Sequence, residues 1–543
     1  MSDKGRSEGL QELCAATRRS GNDAGDLDAL GVVLTARGEY RRAEVCLRAA
    51  VVRRPRESGF LHHLATALLG CGHAEDAAAY LEQALQIEPN RVESWELLGS
   101  AYLDHLTRPA DAFRSFSRAL QLAPGEIRNY ESAARCRIDN RTAPEAIACL
   151  AESLPGNTDP LNQRRGVALA LAQVGRYEEA MAVFQEIVRR LPLDPASLHG
   201  LARMYTGLHD LSAAGRCFAR AIPVAEGHRD LLLGYVLHLS RIGDFEGARQ
   251  FYRSRMREMP VHFGLTPLPR IWEGQDVRGK TVLLIAGDLY FGDAFQFVRF
   301  ARLAKRAGAT VIVEGPKRIR SLLRTVPGVD LALAYRDRTP PFDCGASAFS
   351  LSFSLQVPIA ELLDGSPYIE APAGLRAEWR TRLRALPGFN VGIVWRGSSY
   401  NSCNPYACRS MALEDLRPLT EIPGVNLYSL QRGPGSEELR QGNPAFPAID
   451  VAPDFPKAAA AIAELDLVVT IDTSIAHLAG ALGKLTYVML PYDACFRWMM
   501  DRADSPWYPS LRLFRQTKPG QWSDVVAAVT DRVSCLCQEK AVL

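Results

Sequence analysis

Three small polar residues interrupt an apolar run near the end of the chain, and their types indicate a site for an anion. The run Leu465–Ile471 is followed by Asp472, Thr473 and Ser474, and His477 lies three positions further on. We expect a strand to end before this triplet and a helix to begin near Ser474, where free backbone amides and the helix dipole favour negative charge. The hydroxyls add donors, and the imidazole lies one turn along the same helix face. A phosphate or diphosphate is the ligand best served by this chemistry.

The same residues also allow a purely structural interpretation. Asp, Thr and Ser are the usual residues at helix N-caps, and His477 could be a satisfied histidine of an apolar core. The position of the triplet alone leaves both interpretations open.

Two series of apolar segments must position this triplet. The segments lie at 281–286, 310–314 and 329–335, and then at 391–395, 426–431, 466–471 and 485–490. Near-continuous apolar strands that alternate with helices predict parallel sheets covered on both faces. The region 336–390 between the two series reads as irregular. We therefore predict two facing doubly wound domains with a cleft between them, in which ligands bind at the carboxyl ends of the strands.

The first half of the chain is an internal repeat. An alanine recurs every 34 or 35 residues, at Ala43, Ala77, Ala112, Ala146, Ala180, Ala214 and Ala248. A large apolar residue follows each alanine after four positions, and a small residue precedes it by about twelve. The pattern predicts a pair of antiparallel helices per repeat and resembles the tetratricopeptide repeat, with a degenerate fourth copy at 127–160. Such arrays usually hold a peptide or protein in a groove; a structural array or a dimerisation surface is the alternative.

Composition excludes several other classes of protein. The 543 residues include 64 basic and 61 acidic side chains, so the net charge of +3 gives no reason to expect nucleic acid. No apolar stretch approaches the ~20 residues of a membrane span. The polar start and the scattered cysteines predict a reduced, cytoplasmic protein. Cys403 and Cys408 share one loop but lack further ligands at metal-binding spacing, so we expect no metal.

The segment VVTIDTSIAHLAGALGKLTYVMLP resembles the nucleotide-sugar-binding motif of glycosyltransferase family 9, the heptosyltransferase-like enzymes. Further landmarks of the resemblance are GKTVLLIA, GDAFQFVRFA, VGIVWRG, SLQRGP and DSPWYPSLRLFRQ. The resemblance implies a GT-B fold of two Rossmann-like domains that follow a tetratricopeptide-repeat α-solenoid. We therefore expect an N-terminal helical or flexible segment at 1–23, repeats at 24–260, a linker at 261–280, an acceptor-side domain at 281–385 and a donor domain at 386–543.

The resemblance also implies roles for individual residues. Asp472, Thr473, Ser474 and His477 would take the donor diphosphate, although the family usually has glycine in place of Ser474. Asp293, in the pair Gly292-Asp293, matches the expected general base, which would take a proton from the acceptor hydroxyl and give inversion. An N-cap role explains that aspartate equally well. Related sequences often have a further glycine just before this pair, where this chain has Tyr290-Phe291.

Other matches are weaker. Arg409 matches a basic residue that neutralises the diphosphate in place of a metal, and a solvated arginine is its alternative. The remaining donor-side candidates are Trp395, Gln431, Arg432 and Glu437, the last with Glu438 as an alternative partner for a ribose hydroxyl. Trp498, Arg497 and Trp507 could stack on a base or sugar, or could simply pack between domains. The loop 398–408 is longer and less charged than in relatives.

The α/β half contains no Asp-x-Asp motif, which disfavours a metal-dependent mechanism, and no P-loop. We therefore expect a cytoplasmic, metal-independent, inverting glycosyltransferase without a cofactor. It would move a sugar from a nucleotide-sugar donor to a protein or glycan acceptor that is recruited by the repeats. The alternative is an interaction scaffold with a weak or inactive transferase-like module, and the repeat surface leaves room for a dimer.

Overall fold

The computed structural model describes residues 23–36, 39–106, 108–123, 126, 129–130, 132–133, 136, 160–173, 176–255, 268, 270–287, 290–335, 337–355, 361, 365–397, 409–432, 435–440, 449–450, 454–500 and 502–542. Three predicted features therefore lie largely or wholly outside the described residues: the N-terminal segment, the degenerate fourth repeat and the loop 398–408. The chain divides into two compact units, Met1–Met204 and Tyr205–Leu543.

The first unit is helical. Its helices are α1 (Ala24–Ala36), α2 (Tyr40–Arg53), α3 (Ser58–Cys71), α4 (Ala74–Ile87), α5 (Val92–Ser100), α6 (Pro109–Leu122), α7 (Pro160–Gln173), α8 (Tyr177–Arg190) and α9 (Pro195–Gly207), the last of which runs into the second unit. Local sequence fixes several helix ends. Pro109 occupies the first position of α6, where no amide partner is needed. Gly72, in the left-handed region at φ 85°, terminates α3.

The repeat pattern is confirmed at the level of packing. Consecutive helices pack in pairs, α1 with α2, α3 with α4 and α5 with α6. The described recurring alanines are fully buried, as are the large apolar residues four positions later. The small residues allow the close approach, because a Cβ atom on Gly99 would lie 2.7 Å from Cζ of Phe116. Each pair therefore depends on a small residue that faces a large one.

The second unit begins with further repeat helices and continues into the α/β region. Its helices are α10 (Leu211–Ala221), α11 (Arg229–Arg241), α12 (Phe245–Arg255), α13 (Phe291–Phe297), α14 (Ala301–Arg306), α15 (Arg320–Leu323), α16 (Ala348–Ser354), α17 (Ala373–Arg384), α18 (Arg417–Thr420), α19 (Ser436–Arg440), α20 (Phe455–Glu464), α21 (Ser474–Ala481) and α22 (Ser523–Val542). Among the described residues, no helix is long and apolar enough to cross a membrane.

The first sheet has four parallel strands in the order β3-β2-β1-β4. They are β1 (Thr281–Ile285), β2 (Thr310–Gly315), β3 (Leu331–Ala334) and β4 (Cys344–Ser347). The last of these corrects the sequence prediction, because β4 lies inside the region 336–390 that reads as irregular. Its sequence, CGAS, lacks the β-branched and aromatic residues that mark strands, and it becomes a strand through pairing beside β1.

The second sheet has six parallel strands in the order β10-β9-β8-β5-β6-β7. They are β5 (Phe389–Val394), β6 (Val425–Ser429), β7 (Ile449–Asp450), β8 (Leu467–Ile471), β9 (Thr486–Leu490) and β10 (Leu511–Arg515). Counted along the chain, this order is 3-2-1-4-5-6, that of a doubly wound nucleotide-binding sheet. The sequence prediction of repeat helices followed by parallel α/β sheets is thus confirmed. It missed β7, which is only two residues long, and β10, whose LRLFR pattern carries charges because the strand lies at an edge.

The last repeat helices pack directly on the α/β region within the second unit. Arg241 of α11 donates a hydrogen bond of 2.6 Å to Asp493, and both side chains are only 7% exposed. Arg249 of α12 donates to the carbonyl oxygen of Leu355. The ring of His209 stacks on Tyr492 at 3.8 Å between centroids. The contacts of Arg241 and His209 attach the last repeats to the segment 492–498, which follows β9, and Arg249 attaches them to the end of α16.

Candidate functional site

The second sheet has its topological switch point between β5 and β8, where ligands bind in sheets of this order. Gly397 follows β5, and Thr473 follows β8. A Cβ atom at position 397 would lie 2.9 Å from Nε of Arg409 and 3.5 Å from Cγ2 of Thr473. The structure therefore brings Arg409 and Thr473 together at this crevice, as the sequence predicts, and only glycine at position 397 leaves room for both.

Thr473 is the N-cap of α21. Its hydroxyl oxygen accepts a hydrogen bond of 3.3 Å from the amide of Ile475 and lies 3.3 Å from the hydroxyl of Thr470. The capping interpretation is therefore realised in the structure. The cap uses the amide of Ile475, and the amide of Ala476 donates to the Thr473 carbonyl oxygen, so an anion here would depend on the hydroxyls and the helix dipole as well as on the remaining amides. Thr473 and Ser474 stay half-exposed at the crevice, whereas Asp472 is buried.

His477 lies inside the protein rather than in the crevice. Its ring stacks on Trp498 at 5.3 Å, its Nδ1 atom lies 3.1 Å from the hydroxyl of Tyr508, and its Nε2 atom lies 4.0 Å from Asp472. Burial, reinforced by nearby arginines, lowers the pKa of His477 well below 6.5, so the imidazole is neutral at pH 7. Direct contact between His477 and a diphosphate stays a prediction. In the structure, His477 packs beside Asp472 and supports its position.

Asp293 reaches the same region from the other sheet. It is the third residue of α13, which packs against α21. The neighbouring Gly292 makes this approach possible, since a Cβ atom there would lie 3.0 Å from Cδ2 of His477. The Asp293 carboxylate accepts a hydrogen bond from Arg497, and its side chain is 21% exposed.

The pKa of Asp293 is raised above that of a free aspartate, although opposing effects act on it. Burial raises the pKa of Asp293, the Arg497 guanidinium opposes the rise, and the Asp472 carboxylate adds to it. Arg497 is itself held by a hydrogen bond of 2.9 Å to Sγ of Cys495 and lies over the ring of Phe496. The predicted residue Arg497 is therefore placed as the ionic partner of the candidate base.

Gln431 and Glu438 are structural braces around the end of β5. The Gln431 side-chain oxygen accepts hydrogen bonds from the amides of Trp395 and Arg396, at 3.2 and 3.0 Å. Glu438 accepts from the amide of Leu413 at 3.1 Å. The Trp395 ring belongs to the hydrophobic core of the second sheet. Glu437 lies in α19, and its side chain is outside the described residues, so its predicted contact with a ribose stays a prediction.

The tryptophans that were candidates for stacking are interior residues. Trp498 is fully buried against His477. Trp507 packs edge-on against Phe245 and Phe297, at 6.3 and 6.0 Å between ring centroids. The packing alternative therefore describes both rings in this structure.

Sequence reasoning missed Arg299, which joins the two α/β halves. Arg299 is fully buried, donates to the carbonyl oxygen of Trp507 at 2.9 Å and to the hydroxyl of Tyr368 at 3.0 Å, and lies 4.8 Å from the ring centre of Tyr508. Since Tyr508 also contacts His477, Arg299 supports the position of His477 through Tyr508. The available signal was a lone charge within the apolar run FQFVRFA. Among the described residues, no three His, Cys, Asp or Glu side chains form a group that could hold a metal.

Comparison with known proteins identifies the repeats. A model described as "Tetratricopeptide repeat" matches residues 62–127, and one described as "Psidin, N-terminal TPR repeats region" matches residues 137–258. The N-terminal region therefore contains tetratricopeptide repeats, and a parallel α/β region follows them.

Individual relatives are distant. Protein FlbA of Caulobacter vibrioides is 24% identical over 420 residues, which cover 71% of this chain and 69% of that protein. Among solved structures, MamA from Desulfovibrio magneticus RS-1 is 24% identical over 27% of this chain and 85% of its own, with a TM-score of 0.25. A tetratricopeptide repeat protein from Parabacteroides merdae is 17% identical over 42% of this chain and 91% of its own, with a TM-score of 0.30.

Proposed function

We propose that the α/β region is an inverting glycosyltransferase that uses a nucleotide-sugar donor. One observation carries the proposal: Arg409, Thr473 and the start of α21 meet at the switch point of a 3-2-1-4-5-6 sheet, and the carboxylate of Asp293 approaches from the other sheet. A diphosphate at a helix N-terminus and a carboxylate on the opposite side are the two parts that such a transfer needs.

In this proposal the donor diphosphate lies against the start of α21. The hydroxyls of Thr473 and Ser474 donate to its oxygens, and the Arg409 guanidinium neutralises its charge. Gly397 leaves the space that the arginine needs. A guanidinium provides planar, charge-assisted hydrogen bonds to phosphate without the need for a cation. No cofactor enters the proposed reaction, and the nucleotide-sugar is a co-substrate.

The proposed reaction is a single displacement. The acceptor hydroxyl oxygen attacks the anomeric carbon while its proton moves to the Asp293 carboxylate. The bond between the anomeric carbon and the phosphate oxygen breaks, and its electron pair leaves with the nucleoside diphosphate. Arg409 and the dipole of α21 stabilise the charge that develops there. The ion pair with Arg497 favours the ionised form of Asp293 that a base requires.

The repeats supply the proposed acceptor. Tetratricopeptide arrays bind peptides and proteins on an extended surface, so we propose a protein, or a glycan carried by one, as the acceptor of a cytoplasmic enzyme. The enclosure of His477 is the observation that favours the alternative, an interaction scaffold whose transferase module is weak or inactive.

Release of nucleoside diphosphate from nucleotide-sugars tests the proposal, because slow transfer to water needs no acceptor. We expect Asp293→Asn to lower the rate by about 10²–10⁴-fold while donor affinity changes only a few-fold. The matched control is Glu378→Gln, which removes an exposed carboxylate of α17 and should have no effect. Equal rates in Asp293→Asn and wild type, or no turnover of any donor by the wild type, would contradict the proposal.

A further inference from the structure

A basic pocket lies at the carboxyl ends of two strands that belong to different sheets, β2 and β6. It has a volume of about 460 Å³ and lies where β2 ends, beyond the end of β6 and at the start of α20. It is lined by Lys317, Arg318, Arg320, Arg432, Asp454 and the two small residues Ser321 and Pro456. The volume is in the range of small-molecule sites. Its lining has four cationic side chains and one carboxylate.

The single carboxylate does not neutralise the pocket. Asp454 is the N-cap of α20 and accepts a hydrogen bond of 2.8 Å from the amide of Lys457. Arg320 has its own partner, Asp337, at 3.2 Å. Within the described part of the chain, Lys317, Arg318 and Arg432 have no carboxylate at ion-pair distance. Three cations and the positive end of a ten-residue helix thus face one cavity.

Arg432, one of the donor-side candidates of the sequence, lies in this pocket beside a like charge. Its guanidinium is 4.6 Å above the ring centre of Phe455. Burial lowers the pKa of Arg432, the nearby Arg318 adds to this effect, and Asp454 opposes it. A cation that is partly withdrawn from water and repelled by a neighbouring cation is stabilised by an anion, and the cavity has room for one.

We propose that this pocket is a second anion site, which takes a phosphate group carried by one substrate of the transferase. The inference rests on the proposed function for the identity of that substrate, but not for the existence of the site. Two arginines and a lysine around one cavity match the oxygens of a phosphate monoester, and the α20 N-terminus adds to the attraction. The pocket shares no lining residue with the diphosphate crevice, which is formed by Gly397, Arg409 and Thr473.

The first test is calorimetric titration of the full chain with inorganic phosphate at low salt. We expect Lys317→Gln combined with Arg432→Gln to weaken binding at least about tenfold, and Arg318→Gln alone to weaken it by less. Arg306→Gln, which removes an exposed arginine of α14, is the matched control and should bind like wild type. Arg409→Gln should also retain the site. Absence of binding to wild type, equal binding to the double variant, or loss only in Arg409→Gln would overturn the proposal.

A second arm finds the source of the phosphate. The titration is repeated with glucose 6-phosphate in the presence of saturating ADP, GDP or UDP. Binding that is independent of the nucleotide assigns the phosphate to the acceptor, whereas competition would show that the pocket belongs to the diphosphate site and would overturn the proposal. The two proposals can fail separately. If the chain binds phosphate but turns over no nucleotide-sugar, the second anion site stands and the transferase proposal fails. If the chain turns over a nucleotide-sugar but binds no phosphate, the transferase proposal stands and the second anion site fails.

Discussion

The repeat helices and the α/β region use charge in different ways. In the repeats, the pair Arg164 and Glu186, 2.9 Å apart, has side chains that are 46% and 37% exposed. A more enclosed pair, Arg165 and Asp194, is 12% and 16% exposed. In the α/β region, Asp293 and Arg497 are paired at 21% and 7% exposure. Exposed pairs cost little and contribute about 0–1 kcal/mol, whereas buried charges carry a large desolvation cost. Asp194 also accepts a hydrogen bond from the amide of Ser197 in the first turn of α9, so its burial has a structural explanation. For the buried charges of Asp293 and Arg497, chemistry is the explanation that we propose.

The junction in the second unit also holds a buried ion pair. Arg241 belongs to a repeat helix, yet it forms a buried pair with Asp493. The segment that follows Asp493 carries Arg497, the partner of Asp293, and Trp498, which stacks on His477. A repeat helix thus fixes the segment that supports the candidate site. Buried charge marks this contact surface as well as the site itself.

The largest expected effect comes from breaking this junction. Arg241→Ala removes the arginine from a buried ion pair with Asp493, so the free energy of unfolding of the second unit should fall by about 3–5 kcal/mol. The matched control is Arg164→Ala in the first unit, for which we expect about 0–1 kcal/mol. Urea denaturation followed by tryptophan fluorescence measures both. Similar effects of the two variants would remove the contrast between the regions.

The next largest effects are expected where a glycine lets a neighbouring side chain come close to the backbone. Gly99→Ala should destabilise the repeats by about 1–3 kcal/mol, because the new methyl group would lie 2.7 Å from the Phe116 ring. Gly292→Ala places a methyl group 3.0 Å from His477, so we expect a smaller loss of stability but a clear loss of donor turnover. Thermal unfolding measures the loss of stability in each variant, and nucleoside diphosphate release measures the loss of turnover. Unchanged turnover in Gly292→Ala would argue against a site at this contact.

These contrasts also show how far sequence could lead. Seven strands were predictable because their apolar, β-branched runs are local signals. The position of the triplet that begins at Asp472 was predictable because it directly follows a predicted strand. The surroundings of His477 were not predictable, since Trp498 and Tyr508 lie far along the chain. The basic pocket was missed for the same reason, because Lys317 and Arg432 come from different sheets.

Neutral buried histidines give a smaller, pH-dependent effect in both regions. Burial lowers the pKa of His62 in the first unit and of His238 in the second to about 4 in each case, and that of His477 also falls well below 6.5. Below about pH 6.5 the unfolded chain binds protons at these sites and the folded chain does not. The free energy of unfolding should therefore fall between about pH 7 and 5, by up to about 1.4 kcal/mol per pH unit for each histidine.

Urea titrations at several pH values measure this slope. His62→Gln should reduce it for the first unit alone, and His238→Gln for the second alone. A free energy of unfolding that is constant across this range would show that these histidines are protonated in the folded protein.

Donor binding tests the central claim, a nucleotide-sugar site at the crevice between β5 and β8, most directly. The full chain is titrated calorimetrically with ADP-, GDP- and UDP-sugars, together with Thr473→Val, Arg409→Gln and the control Arg306→Gln. We predict that one donor binds with a dissociation constant on the order of micromolar, that both crevice variants weaken it at least about tenfold, and that the control leaves it unchanged. No binding of any donor, or equal binding by wild type and both crevice variants, would contradict the account.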